Sequence, residues 1–312
     1  MGKVRYNHLN SYLKDKFGSR TLKVCVDGGF TCPNRDGKVS FGGCIFCGDM
    51  GAGDLIKYRS GCVYQSIVNQ INGFLNSYRG ERAEKFIVYF QSFTNTYDTI
   101  ENLKKKYDTA LASSDKFVGL EVATRPDCID EEVAKLLASY KDRYYVCVEL
   151  GLQTASDDIG KLINRGYTTE DFANAVKILK KYDIDIVAHI MVGLPKETTK
   201  VVEGTVDFVN KCGVNGVKLH STYVMKNTKL AQMYEVGEYE PVSQEYYVDM
   251  VVKIISNLNS DIIIHRINAD PPKSELEAPL WVARKKLVIN AINKSLNDKD
   301  IMQGDKKLKF DY

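Results

Sequence analysis

The chain has 312 residues, 44% of them hydrophobic and 27% charged, with a formal net charge of +3. A chain of this length buries roughly three quarters of its unfolded surface, which excludes a scaffold that needs a metal merely to fold. No apolar run approaches the ~20 residues of a membrane span, and the first residues lack the apolar centre of a signal peptide, so a cytoplasmic protein without membrane contact is expected.

In chain order, the first feature is charge. Residues 1–24 carry +5 and residues 283–312 carry +4, which leaves −6 for the body between them. Basic ends on an acidic body suit a polyanion such as nucleic acid, and they also serve simply to solubilise terminal segments. Residues 1–20 are read as a basic N-terminal extension.

From position 21 onward, short β-rich runs alternate with helical stretches. Strands are predicted at 21–27, 85–91, 117–122, 144–150, 185–192 and 216–222. Between them, "IDEEVAKLLASY" opens with acidic residues and repeats its apolar positions at three and four. "TTEDFANAVKILKKY" starts with a Thr cap and ends in lysines, as a helix dipole prefers. This rhythm implies a parallel sheet with right-handed crossovers. Six such units over 21–235 predict an α/β fold, a partial (β/α)6 barrel too short for a complete eightfold one. Beyond it, a helix near 243–258, the strand "DIIIHRI" and a helix from about 278 to 297 read as a C-terminal α/β extension over 236–312, packed on the barrel.

The stretch "CPNRDGKVSFGGCIFC" at 32–47 reads as loop, and it concentrates Cys32, Cys44 and Cys47 at the C-terminal end of the first strand, where functional loops of parallel sheets lie. Eight cysteines in a reducing compartment do not form a disulfide framework, so a cluster of them favours metal or redox chemistry. Cys62, Cys128, Cys147 and Cys212 are scattered singly and read as small buried hydrophobes. Three thiolates suit either zinc completed by a fourth ligand or an iron–sulfur cluster with one iron left open. Spacing decides only partly between them. Cys25 offers a fourth thiolate but sits within a predicted strand, which favours a three-ligand site.

Phe46 makes the end of this loop C-x-aromatic-C, and a three-cysteine loop after the first strand of a partial barrel resembles the radical S-adenosylmethionine (SAM) superfamily. The usual C-x3-C-x2-C is here C-x11-C-x2-C. With "GFTCPNRDG", "YFQSFTNTY", "TRPDC", "ELGLQT", "INRGYT", "HIMVGLP" and "KLH", the chain looks like the YhcC-like radical SAM proteins, relatives of the catalytic subunit of Elongator. The resemblance implies that Cys32, Cys44 and Cys47 bind three irons of a [4Fe–4S] cluster whose fourth iron takes SAM, with Phe46 near the adenine. It places SAM contacts at Glu121, Gln153, Arg165 and His189: Arg165 pairing with the methionyl carboxylate, Gln153 bonding the ribose, and His189 standing where relatives have aspartate. Gln91, Ser92 and Phe93 replace the glycines expected after the second strand. Glu149, His220 and His265, isolated polar residues in predicted strands, are read as structural.

The chemistry so implied is reductive cleavage of SAM, fed by an external electron donor, to a radical that removes a hydrogen atom from unactivated carbon. With no room for an acetyltransferase domain, acetyl transfer is not expected. The substrate implied is tRNA, with the 5-carboxymethylaminomethyl group of a wobble uridine trimmed to 5-aminomethyl. Lys3, Arg5, Lys14, Lys16 and Arg20, with Tyr6 and Tyr12 between them, are expected to bind phosphates and stack on a base. Two other readings stand beside it: the same chemistry on a small molecule, and a non-catalytic zinc-binding nucleic-acid module built on Cys25, Cys32, Cys44 and Cys47.

Overall fold

In the computed structural model, which describes residues 4–48, 51 and 61–310, the alternating runs become one curled parallel sheet. Helix α1 (Leu9–Phe17) precedes β1 (Thr21–Val26). Then follow α2 (Val63–Leu75), β2 (Lys85–Phe90), α3 (Ile100–Leu111), β3 (Phe117–Thr124), α4 (Glu131–Ala138) and β4 (Tyr145–Gln153). Next come α5 (Asp157–Leu162), α6 (Thr169–Lys181), β5 (Asp185–Val192), α7 (Thr199–Cys212) and β6 (Gly216–Ser221). The last part holds β7 (Val224–Met225), α8 (Lys229–Glu235), α9 (Gln244–Asn257), β8 (Ile263–Arg266), β9 (Leu276–Ala278) and α10 (Lys285–Asp298). The sheet order is β1-β2-β3-β4-β5-β6-β8, all parallel, a partial (β/α) barrel as expected; β7 and β9 pair separately. The seventh strand, β8, comes from the C-terminal segment.

Local sequence explains the elements. The Thr168 and Asp171 side chains form a reciprocal capping box at the start of α6, and Asp130 caps α4. The last helix starts at Lys285 rather than near 278, because Ala278 pairs with Val224 and Pro279 follows it. Strand residues alternate with period two. Val24, Val26, Val88, Phe90, Leu120, Val122, Val148 and Leu150 turn outward into one core with the helices. Their neighbours Lys23, Tyr89, Glu121 and Glu149 turn inward and meet one another there.

The curl brings the two sheet edges together at the N-terminal ends of the strands. Lys23 Nζ on β1 lies 3.3 Å from His265 Nδ1 on β8. Helix α1 plugs this end, burying Leu9 and Leu13 against Ile87, and the amide of Ile264 donates to the carbonyl of Asn7 at 2.7 Å. The basic N-terminus therefore lies opposite the cysteine loop. Arg5 bonds Asn297 and Asp300, Tyr12 donates to Asp185 at 3.4 Å, and Tyr6 packs half-buried on the core. The phosphate contact expected of Arg5 and the base stacking expected of Tyr6 and Tyr12 are thus replaced by structural contacts, and Lys3 lies outside the described residues. Among the described residues, no helix is long and apolar enough to cross a membrane.

Candidate active site

The cysteine loop is held from behind by the turn at 163–166. Asn34 is fully buried, and its Nδ2 donates to the carbonyl of Asn164 at 2.6 Å and lies 3.8 Å from Cys44 Sγ. In return, Asn164 Nδ2 donates to the carbonyl of Gly43 at 2.7 Å. The Ile45 amide donates to Ile163, and the Cys47 amide closes a tight turn onto the Cys44 carbonyl. Only a residue without Cβ fits at 166, where φ is +76° and a Cβ would come 2.7 Å from Asn34 Oδ1. Burial pushes the Cys44 thiol up to about 12, and the neighbouring Cys47 and Cys32 sulfurs push the same way. The three thiols therefore act as one group, whose ionisation to thiolates would need a cation beside them. Phe46 packs half-buried beside Ile45, Leu230 and Met191.

Arg165 holds that turn. Its guanidinium has no exposed surface and donates to the carbonyls of Tyr167 (2.9 Å), Leu152 (2.8 Å) and Thr154 (2.6 Å) and to Asp157 Oδ1 (2.7 Å). In this structure Arg165 clamps the end of β4 to α5 rather than presenting a free fork to the methionyl carboxylate expected of it. Gln153 stays at the rim in the left-handed region, φ +60°, where the β4–β5 register shifts, and its Oε1 accepts from Tyr167 at 2.8 Å. Phe93, at the end of β2, also has positive φ, and such strain gathers at functional sites.

Glu121 and His189 lie deeper, in a charged lumen that also holds Glu149, His220 and His265. Glu149 is its hub. It accepts from Lys218 and Tyr89 at 2.5 Å each, from Lys23 at 3.2 Å, and contacts His189 Nε2 at 2.8 Å. Burial pushes its carboxyl up, but Lys218 and Lys23 outweigh that and hold it well below the ordinary range. Glu121 bonds Lys23 and is raised to about 8 by burial, which Lys23 only partly offsets. Burial lowers Lys218 to about 8, pushes His189 below the ordinary histidine value and pushes His220 and His265 well below it. Ligand atoms of Glu121, Glu149 and His265 come within 4.8 Å of one another, but Lys23 Nζ sits among them, so an ammonium fills that position. Sequence reasoning set Glu149, His220 and His265 aside; the signal for them was polar residues alternating with apolar ones in strands otherwise expected to be apolar on both faces.

Residues 38–209 match the Radical SAM superfamily, and residues 214–298 match the Radical_SAM C-terminal domain. The chain is 38% identical over 301 residues to YtqA of Bacillus subtilis, covering 96% of this chain and 92% of that protein. It is 33% identical over 294 residues to YhcC of Escherichia coli, covering 94% and 92%. The chain belongs to the radical SAM superfamily. Its fold is shared with Elp3 of Methanocaldococcus infernus, with TM-score 0.65 at 20% identity over 91% of this chain and 64% of that one.

The cofactors of this radical SAM enzyme are SAM and a [4Fe–4S] cluster, and the residues present fit them. Cys32, Cys44 and Cys47 lie on one loop close enough to act on one another, and three thiolates are the donor set of a cluster whose fourth iron is left open. Cys25 faces the lumen beside Lys218 and Lys23 rather than the loop, so the four-cysteine zinc module is not assembled. Buried atoms without a partner among the described residues gather at the C-terminal strand ends, among them Asn34 Oδ1, Ser92 Oγ, His220 Nε2, Thr222 Oγ1 and Asn268 Oδ1. A bound ligand would satisfy such groups.

Two outcomes follow. Cys44→Ala, purified without oxygen, is expected to lose bound iron and SAM cleavage together; retained cleavage contradicts the site. Because the folded chain keeps a proton on Glu121 up to about 8, against 4.5 ordinarily, that group's contribution is full at low pH and is lost as pH rises toward 8. Glu121→Gln should therefore gain stability relative to the parent between pH 5 and 8 in urea unfolding, and a pH-independent difference contradicts this.

Proposed function

We propose that this radical SAM enzyme acts on tRNA, converting 5-carboxymethylaminomethyl to 5-aminomethyl on a wobble uridine. Cys32, Cys44 and Cys47 would hold the cluster, with Phe46 and Gln153 placed for the adenosyl end of SAM and Glu121 and His189 lining the lumen below it. When bound, cluster and SAM supply a radical that takes a hydrogen atom from carbon. The target is the methylene beside the carboxylate. Loss of a further electron to a one-electron carrier and of the amine proton to lumen water leaves an imine. Hydrolysis of that imine breaks the C–N bond, releasing the aminomethyl uridine and a two-carbon aldehyde acid. An external electron donor starts the cycle.

The observation that carries tRNA is the charge at the mouth. Lys38, Lys196, Lys226 and Lys273 are exposed on loops that follow β1, β5, β7 and β8, and Lys229 is exposed at the start of α8, around the same opening as the cysteine loop. Phosphate contacts fix a nucleic acid over a site, and these exposed lysines would supply them at the entrance to the lumen. The resemblance to the Elongator catalytic subunit supports the same substrate class.

Mass spectrometry of tRNA nucleosides tests this reading: deleting the gene should raise 5-carboxymethylaminomethyluridine and lower 5-aminomethyluridine and its derivatives. An unchanged profile contradicts it. Neutralising Lys226, Lys229 and Lys273 together should weaken tRNA binding and flatten its salt dependence by roughly 0.7–0.9 log units per lost contact. Neutralising Lys14, Lys16 and Arg20, at the far end, should leave the slope as it was; the opposite pattern would move the interface to α1.

A further inference from the structure

Three basic side chains point into the lumen, Lys23, Lys218 and Arg266, beside two carboxyls, Glu121 and Glu149. Lys23 bonds both carboxylates and Lys218 bonds Glu149. Among the described residues, Arg266 has neither a hydrogen bond nor an ion pair. It is half-buried, ends β8, and lies opposite Lys218 in the strand register, on the mouth side of the bulge at His265. Its register with Lys218 puts it on the inward face of the sheet, and its charge reaches Cys25 on β1, His189 on β5 and His220 on β6 as well as Tyr247 on α9. His220 Nε2, also facing this space, is buried and unpartnered. With three basic side chains and two carboxyls facing it, the lumen holds more bases than acids. A half-buried guanidinium with a planar donor fork and no anion beside it suits a carboxylate bound through two parallel bonds.

We propose that Arg266, seconded by His220, is the anion-binding end of the substrate site and takes the carboxylate of the carboxymethylaminomethyl group. The assignment rests on the wobble-uridine reading for the identity of the carboxylate. The same fork would equally take the methionyl carboxylate of SAM, and the experiment separates the two sources. Anchoring the substrate by its carboxylate holds the adjacent methylene, the carbon to be attacked, at a fixed distance from the β8 end of the mouth. The product lacks the carboxylate and leaves.

The test is equilibrium dialysis of the cluster-loaded, SAM-bound enzyme without reductant, so that no turnover occurs. The probes are 5-carboxymethylaminomethyluridine, its carboxamide and 5-aminomethyluridine. The parent should bind the carboxylate about 10- to 100-fold more tightly than the carboxamide, the range of a charge-assisted bond. Arg266→Gln should bind the two about equally, Arg266→Lys should keep part of the preference, and SAM affinity should stay within about threefold in both. A preference that survives in Arg266→Gln overturns the assignment, as does a parent that shows none. Loss of SAM binding in both variants, with normal melting, shows that the carboxylate belongs to SAM and overturns the substrate role. If the tRNA nucleosides of the deletion are unchanged while Arg266 still governs carboxylate preference, the wobble reading fails and the anion site stands.

Discussion

A guanidinium with no exposed surface has to be satisfied by the protein around it, and the mouth of this barrel is arranged around doing so for Arg165. Three backbone carbonyls and Asp157 receive its donors, and Asp157 is itself oriented by the amide and hydroxyl of Thr169. That fixes the end of β4 relative to α5 and α6. The same turn presents Asn164 to Gly43 and receives Asn34, so the cysteine loop, which has no regular structure of its own, inherits its shape from a buried charge two elements away. Three thiols are thereby kept close enough for Cys47 and Cys32 to raise the Cys44 thiol.

Below the loop, the sheet separates two environments. Its outer face is apolar and fused with the helices, while its inner face carries lysines, carboxylates and imidazoles. Parallel strands are ordinarily apolar on both faces, so the inner face gives up burial in exchange for chemistry. The paired carboxyls are thereby driven apart, Glu121 raised to about 8 by burial and Glu149 held low by Lys218 and Lys23 against the same burial, the pattern by which one site holds both a proton and a charge at neutral pH. A radical formed from carbon needs a place closed to side reactions, and the plug of α1 at one end with ligands at the other would provide it.

Much of this was legible from local pattern. The six strands of the barrel, the seventh strand run and the capped helices follow from periodicities of two and 3.6, and the cysteine loop stood out because nothing else in it builds a core. What was not legible depends on direction. "INRGYT" shows a polar arginine, but whether its fork faces a ligand or the chain's own carbonyls is set by tertiary contacts 8 to 13 positions away. The basic N-terminus looked like an arm for polyanions; the apolar Leu9 and Leu13, one helical turn apart, were the sign of a packed helix instead. Lys23, Glu149 and Lys218 lie on three strands, and only the curl of the sheet makes them neighbours.

The central claim is an incompletely ligated iron centre that SAM completes, and electron paramagnetic resonance of the reduced protein tests it most directly. The account predicts a [4Fe–4S] signal, with about four irons and four sulfides per chain, whose shape changes when SAM is added. A signal indifferent to SAM, or a colourless protein holding one zinc per chain, would contradict it.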